Sequence, residues 1–262
     1  MKKVNVISVV VLVLTLGMSS CQKEKEKSAP AVDALAIKYK LKTSWPHDVK
    51  AFTQGLVVHN GLLYESTGQK KSWLGIVDVS TGTPDKKVIL DDRYFGEGIT
   101  ILNNKIYQLT WQTKKGFIYD LKTFKKLGEF DYATEGWGLT HDNKNLIMSD
   151  GSEKLTFLDT TSLKPVRSLT VIDEYGPVKK LNELEYIEGA IFANQWETNR
   201  IVKIDPQTGK VIGRMDLTPL VRDANMSHEN SEVLNGIAYH STTKSLLVTG
   251  KYWPKIYVLS LN

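Results

Sequence analysis

The sequence predicts an all-β fold, a five-bladed β-propeller with four antiparallel strands in each blade. Three observations carry this expectation: a two-run unit occurs five times, two further short apolar runs follow most copies, and copies recur every roughly 40 residues. The copies are "TQGLVVHNGLLYESTG" from Thr53, "GEGITILNNKIYQLTW" from Gly96, "GWGLTHDNKNLIMSDG" from Gly136, "NELEYIEGAIFANQW" from Asn182 and "LNGIAYHSTTKSLLVTG" from Leu234. Within each, a turn signal ("HNG", "NN", "HDNKN", "EG", "HSTTK") separates two apolar runs, the pattern of a hairpin. The equivalent positions Gly55, Gly98, Gly138, Glu183 and Gly236 stand 43, 40, 45 and 53 residues apart, which suits blades joined by loops of unequal length.

The third strands are expected in "GIVDVSTG", "GFIYDLKT", "LTFLDTTS", "IVKIDPQTG" and "KIYVLSLN", and the fourth in "KKVILDD", "KKLGEFD", "KPVRSLTVI" and "KVIGRMDL". The last copy runs out of chain after three strands. Its fourth is expected from "IKYKLKTSW" near the N-terminus, which would close the ring and remove its open edges.

In such a ring the first strand of each blade lines the central channel, and the loop leading into it opens on one face. Gln54, Glu97, Trp137, Asn182 and Asn235 therefore occupy comparable places around the axis. The end of each second strand supplies another ring: Gly68, Trp111, Gly151, Trp196 and, after a one-residue insertion, Gly250. With Trp253 just beyond, four of the six tryptophans fall at or near this mouth. A wall of large apolar side chains with a few convergent polar groups has the character of a small-ligand pocket. Repetition places Trp111, Trp137 and Trp196 there together.

The segments before the blades read differently. Lys2 and Lys3 precede the short apolar run "VISVVVLVLTLGM", the pattern of a secretory signal over residues 1–20. "GMSSC" then resembles a bacterial lipoprotein signal, with Met18 where leucine is commonest and Ser20 where glycine or alanine is. Cys21, the only cysteine, is the expected lipidation site, and "QKEKEKSAPAVDA" reads as a solvated tether over residues 21–36. The alternative is a soluble exported protein with an unpaired thiol. These features imply export and a lipid anchor in a membrane of the bacterial cell envelope, with one propeller domain over residues 37–262. A monomer is the default.

Composition narrows the function. The 262 residues are 41% hydrophobic and 24% charged, as in ordinary globular proteins. Loss of residues 1–20 would lower the formal charge of +5 by two, and the lysines are scattered, so nucleic acid is not an expected partner. The five histidines (His47, His59, His141, His228, His240) are dispersed and show no zinc spacing, so no metal or cofactor is expected. His59 and His141 read as water-facing turn residues. "GEG" lacks the following helix of a phosphate loop, and no serine elbow occurs.

What remains is Glu97 beside tryptophans and amides, with Lys251 in "TGKYW" able to reach the same mouth. Burial among aromatics would raise the Glu97 pKa toward a useful acid and base, whereas an ion pair with Lys251 would lower it. The two influences oppose each other, and either can dominate.

"FTQGL", "FGEGI", "LTW", "EGWGL", "LNELEY", "NQW", "LNGIAY" and "TGKYWPKIY" occur in order from residue 52 to residue 257. Together they resemble the glutaminyl-peptide cyclotransferases of the plant and bacterial type, over the chain from about residue 40 onward. The resemblance implies a five-bladed propeller and an acyltransferase that turns N-terminal glutamine of peptides and proteins into pyroglutamate with release of ammonia. It implies Glu97 as the catalytic acid, with Lys251 beside it, and Phe52, Gln54, Phe95, Trp111, Trp137, Asn182 and Trp196 as the substrate pocket. Lys251, Asn182 or a tryptophan N–H would support the oxyanion. Two other readings stay open: a calcium-dependent lactonase-type hydrolase using the oxygens of Gln54, Glu97, Asn182 and Asn235, and a non-catalytic surface propeller that binds peptides or glycans.

Overall fold

The computed structural model describes Met1 and residues 35–261. The leader, Cys21 and the tether through residue 34 lie outside the described residues. The compact unit Ala34–Asn262 opens with β1 (Tyr39–Pro46). Blade 1 follows as β2 (Thr53–His59), β3 (Leu62–Thr67), β4 (Trp73–Asp78) and β5 (Thr83–Ile89). Blade 2 is β6 (Gly96–Leu102), β7 (Lys105–Thr110), β8 (Lys115–Asp120) and β9 (Lys126–Asp131). Blade 3 is β10 (Leu139–His141), β11 (Asn145–Ser149), β12 (Lys154–Asp159) and β13 (Pro165–Thr170). A small hairpin, β14 (Ile172–Asp173) and β15 (Gly176–Pro177), leads into blade 4: β16 (Leu181–Ile187), β17 (Ala190–Gln195), β18 (Arg200–Ile204) and β19 (Val211–Asp216). The helix α1 (Thr218–Ser227) precedes β20 (Leu234–His240), β21 (Ser245–Gly250) and β22 (Lys255–Leu261) of blade 5.

Each blade is a four-stranded antiparallel sheet, and the fifth has the order β1-β22-β21-β20. The N-terminal strand thus closes the ring, pairing from Tyr39↔Leu261 to Pro46↔Lys255. Five sheets form a five-bladed propeller, as the repeat predicted.

Local chemistry sets the turn between the third and fourth strands. Asp78, Asp120, Asp159 and Asp205 each stand at or just past the end of a third strand and accept a backbone N–H two or three residues on, at 2.7–2.8 Å. Such turns are what a short acidic side chain favours. The fifth blade lacks this aspartate, and there the fourth strand arrives from the other end of the chain. No turn is needed.

The hydrophobic core is five seams rather than one centre, each cluster joining two neighbouring blades. Burial falls from the axis outward: every residue of β6 is buried, whereas β9 buries only Phe130. The helix explains the longest repeat spacing. Pro219 begins it, where a missing N–H is harmless, and Leu220 and Ala224 pack into the seam between blades 4 and 5. The helix departs from the all-β expectation, although the proline in "DLTPLVRDANMS" is a helix-start signal.

At the axis the inner strands come very close. A Cβ on Gly138 would lie 2.0 Å from the Asn182 carbonyl oxygen, and Gly98 N–H donates to the Trp137 carbonyl at 2.7 Å. Only glycine fits such contacts. Glu183 takes the corresponding place in blade 4 and fills the axis: its Oε1 accepts Leu56 N–H at 3.2 Å and its Oε2 accepts Ile237 N–H at 2.8 Å. One carboxyl therefore ties blade 4 to blades 1 and 5.

Candidate active site

The inner ladders are all interrupted at the same level. In blades 1, 2, 4 and 5 the register slips between Thr53 and Gly55, Gly96 and Ile99, Leu181 and Leu184, and Leu234 and Ile237. In blade 3 the strand begins only at Leu139. An extra residue in one strand bends it and re-aims its side chains. The residues so released are Gln54, Glu97, Asn182 and Asn235, with Trp137 just ahead of β10. The repeat located this ring, and the bulges give its physical cause.

A cavity of about 260 Å³ opens there, and it brings together every pocket residue expected from the sequence: Phe52, Gln54, Phe95, Glu97, Trp111, Trp137, Asn182, Trp196 and Lys251. Gln69, unassigned in the sequence, also lines it. Asn235 stands behind, fully buried, donating from Nδ2 to the Thr53 carbonyl and to Gln54 Oε1, each at 3.0 Å. With Gln54 Oε1 so occupied, its amide N–H turns to the Glu97 carboxyl. Of the oxygens considered for calcium, Gln54 Oε1 is therefore occupied by an amide donor, whereas Glu97 Oε2, Asn182 Oδ1 and Asn235 Oδ1 have no partner within the protein.

Two aromatic walls flank the cavity. Phe52 meets Tyr252 and Phe95 edge-on at 5.2 and 5.8 Å, and Phe95 meets Trp111 at 5.5 Å. Opposite, Trp137 and Trp196 stand perpendicular at 5.5 Å. Glycines in the second ring make this possible: a Cβ on Gly68 would strike the Phe95 ring at 2.3 Å, and one on Gly151 the Trp137 ring at 2.6 Å. Trp253 departs from the expected mouth position. It is fully buried, packs on Tyr257 and donates Nε1–H to the Glu232 carbonyl, so it belongs to the core. His59 and His141 are half-buried at the far ends of β2 and β10, and burial lowers the pKa of both.

Glu97 is held by its backbone. Its carbonyl accepts from Ser66 Oγ at 2.6 Å, Gln108 Nε2 donates to that Ser66 oxygen at 2.8 Å, and Tyr119 Oη–H donates to Gln108 Oε1 at 3.2 Å. Packed polar chains of this kind fix a side chain before any ligand arrives. Its carboxyl is 3% exposed as a residue, and Oε2 has no partner within the protein. Asn182 Oδ1 is likewise buried and unpartnered. A buried acceptor left empty costs about 1–3 kcal/mol, which a substrate N–H can recover.

The opposing influences on Glu97 resolve toward burial. Desolvation pushes its pKa well above the usual carboxylate range, the Lys251 charge and the Gln54 hydrogen bond pull it down, and Glu135 adds to the rise. Lys251 makes no direct ion pair with Glu97 among the described residues; its Nζ lies 4.4 Å over the Phe52 ring. Burial also lowers the Lys251 pKa, against the attraction of Glu97. Both groups are kept less charged than in water.

Residues 10–261 match the sequence model of the family described as "Glutamine cyclotransferase". The chain belongs to the glutamine cyclotransferase family. It is 41% identical over 222 residues to the glutaminyl-peptide cyclotransferase of Arabidopsis thaliana, covering 83% of this chain and 69% of that protein. The crystal structure of Myxococcus xanthus glutaminyl cyclase superposes with a TM-score of 0.83 at 33% identity, over 87% of this chain and 98% of the other. The Pan2 WD40 domain of Neurospora crassa matches with a TM-score of 0.50 at 9% identity, over 86% of this chain and 95% of that one, a likeness of fold alone.

Behind two of the cavity's indoles stands an acid that the sequence left without a role. Glu135, in "TEGWG", accepts both the Trp111 and the Trp137 indole N–H on one oxygen, at 2.7 and 3.0 Å. Those two N–H groups are therefore already engaged. Its signal was its place two residues before Trp137, yet an acid in a surface loop ordinarily faces water.

Proposed function

We propose that the protein converts the N-terminal glutamine of peptides and proteins to pyroglutamate with release of ammonia, and that Glu97 moves the proton. The observation that carries this reading is the unpartnered Oε2 of a buried, high-pKa carboxyl facing an aromatic cavity. The family supplies the reaction, and the cavity supplies reasons for it. At about 260 Å³, it is smaller than the about 300–1,000 Å³ of drug-sized sites. It suits one side chain folded back upon its own amine.

The substrate α-amine has an ordinary pKa of about 8 and is partly neutral near neutral pH. Its nitrogen attacks the side-chain amide carbon, forming the ring C–N bond and an oxyanion. Glu97 Oε2 takes a proton from the attacking nitrogen and returns it to the amide nitrogen, whose bond to carbon then breaks as ammonia leaves. The aromatic walls hold the side chain in the folded conformation, which is where much of the barrier lies. Because the Trp111 and Trp137 N–H groups are engaged by Glu135, the oxyanion falls to Lys251 and Asn182, with Trp196 the cavity indole that Glu135 leaves available. Mass spectrometry of a glutamine-initiated peptide tests the activity: loss of one ammonia well above the buffer rate is expected. The same peptide acetylated at its amine is expected to be inert, and equal rates with and without protein would reject the reading.

The basic, apolar and small-residue run ending in Cys21 supports an exported lipoprotein held at an envelope membrane by a lipid on that thiol. Radiolabelled palmitate is expected to enter the wild type and not Cys21→Ser. Label in both would contradict it.

A further inference from the structure

The two aromatic walls are made by different blades and have no ring contact with each other: Tyr252, Phe52, Phe95 and Trp111 form one, Trp137 and Trp196 the other. Glu135 is the bridge between them. Its Oε2 accepts from Trp111 Nε1 at 2.7 Å and Trp137 Nε1 at 3.0 Å, so one atom sets the rotation of both indoles about the cavity. Charged acceptors make the stronger hydrogen bonds, and a ring fixed at its N–H has little freedom left.

The loop that carries Glu135 is itself fastened at both ends. Tyr132 Oη accepts Thr110 N–H at 2.8 Å, and its one O–H is shared between the carbonyls of Thr110 and Lys115, at 2.5 and 2.9 Å. On the other side, Gly136 N–H donates to the Trp111 carbonyl at 3.3 Å and Trp137 N–H to the Ser149 carbonyl at 3.0 Å. A Cβ on Gly136 would lie 2.6 Å from Tyr132 Oη, so the loop folds tightly over that hydroxyl. An acid on such a loop is held in place and not free to follow solvent.

We propose that Glu135 is a positioning residue of the cyclisation site, clamping Trp111 and Trp137 into one continuous aromatic arc while its charge faces the reacting groups around Glu97. The inference rests on the cyclotransferase reading for its kinetic consequences, though the clamp itself does not. The charged and titratable groups around Glu97 are Lys251 from the β21–β22 loop, Glu135 from the β9–β10 loop and the Tyr132 hydroxyl, with the Gln54 amide from β2. Lys251 and Glu135 therefore act on Glu97 and on a bound amine with opposite signs. Neutralising Glu135 lowers the proton affinity of both.

Glu135→Gln and Glu135→Ala in the full chain separate these roles. Glutamine retains an acceptor for both indoles and removes the charge; alanine removes both. In NMR spectra of tryptophan-labelled protein without substrate, the indole N–H signals of Trp111 and Trp137 are expected to stay protected from exchange in Glu135→Gln. In Glu135→Ala they are expected to exchange freely. With a glutamine-initiated peptide, Glu135→Ala is expected to lose about 10- to 100-fold in kcat/KM, the cost of a misplaced substrate. Glu135→Gln should recover most of that loss, with the acid limb of kcat moved to lower pH. An unmoved acid limb in Glu135→Gln, or wild-type kcat/KM and indole protection in Glu135→Ala, overturns the proposal. Should Glu135→Ala fail to fold, Glu135→Gln decides by its acid limb. Wild-type protein that releases no ammonia would defeat the cyclotransferase reading instead, while the indole signals would still report the clamp.

Discussion

Glu97 and Glu183 sit in matching bulges of blades 2 and 4, one residue apart in the repeat, and both are buried with pKa values pushed up by desolvation. They differ in what their oxygens meet. Both Glu183 oxygens accept backbone N–H groups from neighbouring blades, whereas Glu97 lines the cavity and its buried Oε2 has no protein partner. Burial alone therefore does not single out an acid for chemistry in this molecule. An empty acceptor on a cavity-lining residue is what supports the proposed role of Glu97, and the same buried chemistry becomes a structural tie where the acceptors are filled.

That contrast can be broken at either acid. The largest stability effect is expected from Glu183→Ala, which strands the N–H groups of Leu56 and Ile237 at about 1–3 kcal/mol each. Urea denaturation would measure it, and kcat of the folded fraction should stay near wild type. A fall in kcat without loss of stability would make Glu183 part of the chemistry. Lys251→Met tests the electrostatics around Glu97. The Lys251 charge lowers the Glu97 pKa, so its removal raises that pKa; the base form is then lost earlier as pH falls. The acid limb of kcat should move to higher pH, opposite in sign to Glu135→Gln, with kcat itself reduced through loss of oxyanion support. A limb that stays put would remove Lys251 from the electrostatics of Glu97. Smallest is the stability change in Glu97→Gln, expected near zero or slightly favourable, because a buried acid with an empty oxygen contributes little to the fold.

The fold and most of the pocket were legible because the repeat is a geometric statement. Gly55, Gly98, Gly138 and Gly236 recur where inner strands crowd the axis, and the position before each inherits the mouth. Trp111 and Trp196 followed from the second ring by the same logic. Trp253 did not, because proximity in sequence to Gly250 cannot tell a ring that faces the cavity from one folded beneath it. Position alone equally failed to reveal the Glu183 tie and the Glu135 clamp, which depend on where side-chain oxygens point, across blades 4, 1 and 5 for Glu183 and between neighbouring blades 2 and 3 for Glu135. The helix at Thr218–Ser227 was hidden by its length, a short insertion in a chain of strands. Its proline was visible; its packing was not.

Ammonia release by Glu97→Gln tests most directly whether Glu97 moves the proton. The glutamine keeps the side chain's size and removes its proton-carrying oxygen. With an unchanged thermal midpoint, kcat on a glutamine-initiated peptide is expected to fall by about 100- to 10,000-fold, the usual contribution of a positioned acid–base group. Turnover within a few fold of wild type, from protein equally folded, would contradict it.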